Sequence, residues 1–365
     1  MMSEVDKIYR DLQIHLDEQT IGFPATESGS DIRLLKSLFD VEQAKATLYV
    51  SYKAEPVEVI YECTNKMELS MEELERDLDS TARRGMIGRT QKNGKDHYFT
   101  IPYVVGMVEA GARNPTPEFV AASQEWGEES EFWSIFIGTK ISQMRTIPIE
   151  ESIVPEHNVG TYDEIRQIIE KSDGPFAAFG CVCRDGAAAR GEPCQKTSRK
   201  DTCFAMGDGI KKAIDEGFLR GLSKEEALGV LCMNEEDGLV LQPANAINPD
   251  FICSCCGDCC GILQLQKAVP NPSSFWSSNF FAEVDSDLCS GCETCVERCQ
   301  VEAMKMDEEK GISYVNLERC IGCGNCVPTC PSEAIKLVKK DNEQIPPKDY
   351  AEMIEVIMEA KNKSK

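Results

Sequence analysis

Histidine is almost absent from this chain. Its 365 residues include three, His15, His97 and His157, set far apart in sequence. That argues against mixed cysteine/histidine metal sites and against nucleophilic or general-base chemistry built on imidazole. Long hydrophobic runs are missing too, so no membrane span is expected. The opening Met1-Met2-Ser3-Glu4-Val5-Asp6 has neither a basic segment nor an apolar core, so no signal peptide is expected and the cytoplasm is the expected location. A Gly-x-x-x-x-Gly-Lys-Ser/Thr loop is lacking, which leaves nucleotide hydrolysis without a phosphate cradle. Gly207-Asp208-Gly209 is too short for a dinucleotide fingerprint. Cations are in short supply: 39 Lys and Arg face 62 Asp and Glu, a net charge of −23. Such a surface repels polyphosphates and favours a partner with a basic docking face.

What the chain does have is cysteine, 19 in all. Disulfide stapling is not expected in a reducing compartment, so the spacing reads as metal ligation. Seventeen fall in runs between Cys181 and Cys330. Cys63 and Cys232 stand apart and read as small buried hydrophobes.

The last of these runs belongs to an internal repeat with a period of 31 residues. Val284 matches Val315; Cys289, Cys292, Cys295 and Cys299 match Cys320, Cys323, Cys326 and Cys330; Ala303 and Lys305 match Ala334 and Lys336. Each half reads as strand, cysteine loop, short helix and strand: Phe281–Val284 and Met304–Met306, then Ser313–Val315 and Ile335–Val338. Both loops spell Cys-x2-Cys-x2-Cys-x3-Cys, with the fourth cysteine expected at the start of the following helix. Over about Phe280 to Lys340 the repeat resembles the dicluster ferredoxins of bacteria. The resemblance implies two 4Fe–4S clusters, one on Cys289, Cys292, Cys295 and Cys330, the other on Cys320, Cys323, Cys326 and Cys299. The pattern's usual proline follows Cys330 as Pro331, but Gln300 replaces it after Cys299.

A second cysteine-rich unit lies between about Ile153 and Pro272. Cys181-Val182-Cys183-Arg184 opens it, followed by Cys194 and Cys203, and Cys253-Ser254-Cys255-Cys256-Gly257-Asp258-Cys259-Cys260-Gly261 comes some fifty residues later. One or two further iron–sulfur clusters are expected, with Cys181, Cys183, Cys194 and Cys203 as one set and Cys253, Cys255, Cys256, Cys259 and Cys260 as the other; a structural zinc site is the alternative. Arg184 is placed to offset thiolate charge. Ser223 with Glu226, and Thr161 with Glu164, predict capped helices. The paired groups look like those of uncharacterised ferredoxin-type proteins of anaerobes. The Cys-Cys-Gly pairs are similar to those of the catalytic subunit of heterodisulfide reductase, which spaces its motifs much more widely.

Residues 1–150 carry only Cys63. Val57–Lys66 reads as a short helix, Met67–Leu69 as a turn, and Ser70 with Glu73 as the capping box of a helix that runs to Arg84, with Met71, Leu74 and Leu78 on one face. Gly85 ends it. Ile87–Thr90 and Tyr98–Ile101 flank Asn93-Gly94, a hairpin signal. Over about Lys36 to Val105 this resembles the winged-helix domains of bacterial regulators. Its second helix presents Glu72, Glu73, Glu75, Asp77 and Asp79 where a DNA reader needs cations, which disfavours nucleic acid and favours protein contact or dimerisation. Trp126, Phe132, Trp133, Phe136 and Ile137 form either a core helix or a docking one. Tyr350, Met353, Ile354 and Ile357 make an amphipathic tail, docked or offered to a partner.

The fold class expected is α+β multidomain: a winged-helix-like domain over 1–150, a helical cysteine-rich domain over 151–275, a dicluster ferredoxin domain over 276–340 and a C-terminal helix over 341–365. The function expected is electron transfer to or from a redox partner, an oxidoreductase or its subunits in anaerobic metabolism. The alternatives are an oxidoreductase with a substrate-accessible middle cluster and a redox-sensing regulator.

Overall fold

Residues 3–64, 69–111, 116–157 and 159–363 are described in the computed structural model, a mixed α+β chain. It divides into two units, Met1–Lys140 with Ile354–Lys365, and Ile141–Met353. Among the described residues no helix is long and apolar enough to cross a membrane.

In the first unit the box at Ser70 forms as expected. Ser70 Oγ accepts from the Glu73 N–H at 3.2 Å, and Glu73 Oε2 accepts from the Ser70 N–H at 2.8 Å. The helix Met71–Arg83 buries Leu74 and Leu78. Met71 lies on the same side but opens the first turn and is exposed. Gly85 follows at φ +75, where a Cβ would meet the Ala110 backbone at 2.5 Å, so no other residue fits. Strands β2 (Gly88–Lys92) and β3 (Lys95–Phe99) pair antiparallel around Asn93 and Gly94, both at positive φ, and β1 (Glu55–Pro56) joins the other edge of β3. The short helix is Val57–Cys63, and the turn expected at Met67 and Glu68 lies outside the described residues. Cys63 ends that helix exposed, not buried.

The aromatic stretch is core. Trp126 stacks on Phe23 at 4.3 Å and donates its indole N–H to the Pro24 carbonyl at 2.9 Å, while Phe132 and Phe136 are buried beside it. The tail forms the helix Tyr350–Lys363, with Met353, Ile354, Ile357 and Met358 buried. It is docked rather than on offer.

In the second unit the cysteine-rich stretch is not the helical domain expected. A five-stranded antiparallel sheet runs through it in the order β6-β4-β5-β8-β7, built from β4 (Phe176–Gly180), β5 (Asp201–Met206), β6 (Gly221–Leu222), β7 (Val240–Pro243) and β8 (Phe251–Cys255). In β5 and β8 cysteines occupy one phase of the alternation and hide it, and β7 is buried at every position. Phe176, Phe204, Met206, Leu222, Leu241 and Ile252 make a buried aliphatic and aromatic core with the helices Ile165–Lys171 and Lys224–Glu236. The Ser223/Glu226 capping box is present. The expected Thr161/Glu164 box is not, because the helix starts at Ile165 with Glu164 itself at the N-cap, its side chain making no capping bond. Cys232, expected inside, is exposed one residue past buried Leu231, with its sulfur 3.9 Å from Glu236.

The repeat supplies two small sheets. β9 (Phe280–Val284) pairs with β12 (Ile335–Lys339), and β10 (Met304–Asp307) with β11 (Ile312–Val315), all antiparallel. Thus the first strand of each half lies against the last strand of the other.

Candidate metal centres

The repeat is a repeat of contacts as well as of letters. The Ala282 N–H, on β9, donates to Cys320 Sγ at 3.4 Å, and the Ser313 N–H, 31 positions on, donates to Cys289 Sγ at 3.4 Å. Each of these bonds crosses from one half to the other. The Ala303 N–H donates to Cys299 Sγ at 3.1 Å, and its counterpart Ala334 donates to Cys330 Sγ at 3.3 Å. Backbone N–H groups are thus aimed at the sulfurs where a metal ligand's charge would lie. The loops are held close in the same symmetric way. A Cβ on Gly291 would lie 2.2 Å from the Gly311 carbonyl, and one on Gly322 would lie 2.2 Å from that of Phe280.

The eight cysteines are free thiols, and among the described residues no three of their sulfurs all lie within 4.8 Å of one another. No single-ion site is therefore formed among them, and the donor chemistry, eight cysteine thiols in two matching runs, fits the 4Fe–4S groups the sequence spacing implies.

The two loops differ in their surroundings. Cys292 is exposed and Cys289 half-buried, and hydrogen bonds from Thr294 and from the Ser313 N–H hold their thiols below the usual range. Cys320 and Cys326 are buried and Cys323 half-buried, and loss of water around the sulfur pushes all three thiols up, that of Cys323 to about 12. Local structure differs as well. In the first half a helix, Thr294–Arg298, contains Cys295 and ends at Cys299, so the fourth cysteine closes a helix instead of opening one. The matching stretch of the second half is turns, since Pro328 stands where Glu297 supplies an N–H.

The middle cysteines lie beyond the face that carries the aliphatic core. Gln242 pairs with Cys253 and Val240 with Cys255 across β7 and β8, and Cys203 alternates with core residue Phe204. Cys181 and Cys260 are the N-caps of the helices Val182–Ala189 and Gly261–Ala268. Six thiols neighbour one another in a ring and shift one another's titration: Cys181 with Cys183 and Cys203, Cys203 with Cys253, Cys253 with Cys255, Cys255 with Cys260, and Cys260 with Cys183. Hydrogen bonds from Cys183 and Cys203 push the Cys181 thiol down, with Arg184 adding to the effect.

The remaining three cysteines gather separately. Cys194, Cys256 and Cys259 meet Asp258, so the grouping expected from sequence neighbourhood does not hold. Cys194 leaves the first set and the second set splits. The loop after Cys194 is anchored: the Thr197 hydroxyl donates to Asp237 at 2.6 Å and Arg199 donates to Asp237 and Asn234 at 2.8 and 2.7 Å. Arg184 lies near thiols of both groups, Cys181 and Cys256. Burial works against its charge, but the neighbouring thiolates outweigh burial and raise its pKa. Its Nη2 donates to the Ser254 carbonyl at 2.8 Å.

Sequence reasoning missed two residues here. Asp258 was legible only as a carboxylate between two cysteine pairs. Gln242 carries no motif, yet its side chain is buried with neither amide atom hydrogen-bonded.

No curated protein and no solved structure matches the chain significantly. Residues 288–334 match the family model of the 4Fe-4S dicluster domain, a stretch that runs from just before Cys289 to just past Cys330. This segment is therefore similar to domains that carry a pair of 4Fe–4S clusters.

Proposed function

We propose that the chain is an iron–sulfur electron-transfer protein working with an oxidoreductase of anaerobic metabolism. Cys289, Cys292, Cys295 and Cys330 hold one 4Fe–4S cluster in a ferredoxin fold, and Cys320, Cys323, Cys326 and Cys299 hold the other. Cys181, Cys183, Cys203, Cys253, Cys255 and Cys260 hold a further iron–sulfur cluster. The observation that carries this reading is the crossed pair of bonds from Ala282 to Cys320 and from Ser313 to Cys289. When bound, each cluster supplies one-electron uptake and release. The protein's part is to present sulfurs, direct backbone N–H groups at them and exclude water from the inner loop at Cys320 and Cys326. Anaerobically purified protein should contain about 12 irons, four per cluster. Protein without iron, or with zinc alone in its place, would overturn the proposal.

The first unit is read as a winged helix used for protein contact. Two wing cations that could meet phosphates are already engaged: Arg89 with Asp79, and Lys95 with Glu58 at 2.5 Å. Asp79 belongs to the acidic helix itself. Fluorescence-anisotropy titration with mixed duplex DNA at low salt should show no submicromolar binding. Tight, salt-sensitive binding would promote the regulator instead.

One observation favours an enzyme as the second reading. The Gln242 amide, buried beside Cys253 without a partner, offers a polar ligand a hydrogen bond next to the six thiols. A spectral change of the reduced middle cluster on adding azide, absent in Gln242→Leu, would support it.

A further inference from the structure

Nine middle cysteines are more than one cluster needs, and their spacing separates two kinds of site. Cys194 Sγ lies 3.6 Å from Cys256 Sγ and 3.7 Å from Asp258 Oδ1. With Cys259, these donors all lie within 4.8 Å of one another. Among the described residues no other three cysteine, histidine, aspartate or glutamate donors come so close together. Thiolates bound tetrahedrally to one ion at about 2.3 Å sit about 3.8 Å apart. A four-iron cubane places each thiolate on its own iron and spreads the sulfurs farther, and among the eight cysteines of the C-terminal repeat no three sulfurs come within 4.8 Å of one another.

We infer that Cys194, Cys256, Cys259 and Asp258 form a mononuclear tetrahedral site for zinc, separate from every iron–sulfur cluster. Three thiolates and a carboxylate around a compact, tetrahedral spacing select zinc among the common divalent ions. Asp258 is set to bind through one oxygen. Its Oδ2 accepts the Gln195 N–H at 2.6 Å, which leaves Oδ1 facing the thiols. Cys256 and Cys259 are buried, Cys194 is half-buried and Asp258 is exposed, so the ion enters and exchanges from the carboxylate side. Loading releases the three thiol protons. The site then carries a net charge of about −2, two positive charges against three thiolates and a carboxylate, with Arg184 beside Cys256 to offset it. Zinc here ties the loop after the Val182–Ala189 helix to the turn between β8 and the Gly261–Ala268 helix. The inference goes beyond the electron-transfer reading and stands or falls without it, since it concerns zinc and not iron.

The test is metal analysis of the anaerobically purified full chain, with zinc-edge X-ray absorption. Zinc equimolar with protein is expected, with three sulfur neighbours and one oxygen. Asp258→Ala, a change at an exposed side chain, should cut zinc occupancy at least tenfold at fixed chelator concentration and leave iron unchanged. Asp258→Cys should keep zinc and convert its neighbours to four sulfurs. Protein lacking zinc as purified would overturn the inference. So would iron lost with Cys194→Ser, or zinc whose neighbours do not change in Asp258→Cys.

Discussion

Gln300 and Gly257 are in contact at two points. The Gly257 N–H donates to Gln300 Oε1 at 2.8 Å, and a Cβ on Gly257 would sit 2.3 Å from the Gln300 carbonyl oxygen. Gln300 Nε2 also donates to the Gly238 carbonyl at 3.1 Å, which Asn325 Nδ2 reaches at 3.0 Å. The residue that breaks the repeat's Cys-Pro pattern therefore joins Cys299 to the loop between Cys256 and Cys259.

Restoring the pattern should do harm. Gln300→Pro removes both side-chain bonds and strands a buried Gly257 N–H, a loss of about 1–3 kcal/mol. Thermal unfolding of anaerobic protein at a fixed scan rate should show a fall of several degrees in Tm. An unchanged Tm would mean that the contact does not hold these segments together.

Cys299 sits beside the first cysteine loop but is read as a ligand of the other cluster. Cys299→Ala should alter the signal of the cluster on Cys320, Cys323 and Cys326, with little change in the one on Cys289, Cys292 and Cys295. The reverse pattern in EPR spectra of the reduced variant would refute the crossed assignment.

The outer cluster should respond to Ser313, whose hydroxyl lies 3.3 Å from Cys295 Sγ. With Cys295 as a thiol the hydroxyl accepts from it and donates to Met306 Sδ at 3.2 Å; once Cys295 is a thiolate, turning that proton from Met306 to the thiolate favours the reduced state. Ser313→Ala should lower the potential of this cluster by about 40 mV, the one-electron equivalent of a hydrogen bond worth about 1 kcal/mol. Redox titration checks the shift, and the inner cluster serves as the control.

Glu235 gives a pH dependence away from the cysteines. It is buried, and burial raises its carboxyl from 4.5 to about 7, against a hydrogen bond from the Glu150 N–H at 3.2 Å. The folded state thus holds its proton more tightly than the unfolded chain. The stability linked to this proton is complete below pH 4.5 and is lost as pH rises to about 7, at most about 3 kcal/mol. Glu235→Gln should flatten that decline, so Tm compared at pH 5 and pH 8 should fall less in the variant than in the parent. Equal falls would show that Glu235 ionises freely.

The repeat was legible in the sequence because ligand spacing is local: eight cysteines at fixed offsets describe two loops, and Val284 with Val315 mark the strands ahead of them. The caps at Ser70 and Ser223 and the turn at Asn93-Gly94 were legible for the same reason. The middle site was not, because its partners come from different segments. Cys194 meets Cys256 and Cys259 only after β5 and β8 pair and the loop after Cys194 is anchored on Asp237. Strands β5 and β8 were masked by Cys203, Cys253 and Cys255, which read as ligands rather than as one phase of an alternating strand.

The most direct test of the central claim is an EPR-monitored reductive titration, with spin counting, of the anaerobically purified full-length protein. The account predicts two distinct one-electron reductions from the C-terminal repeat, with interacting spins, both reversed by an added oxidant. A protein that contains iron but yields no reducible signal from this repeat, or whose reduction cannot be reversed, would contradict it.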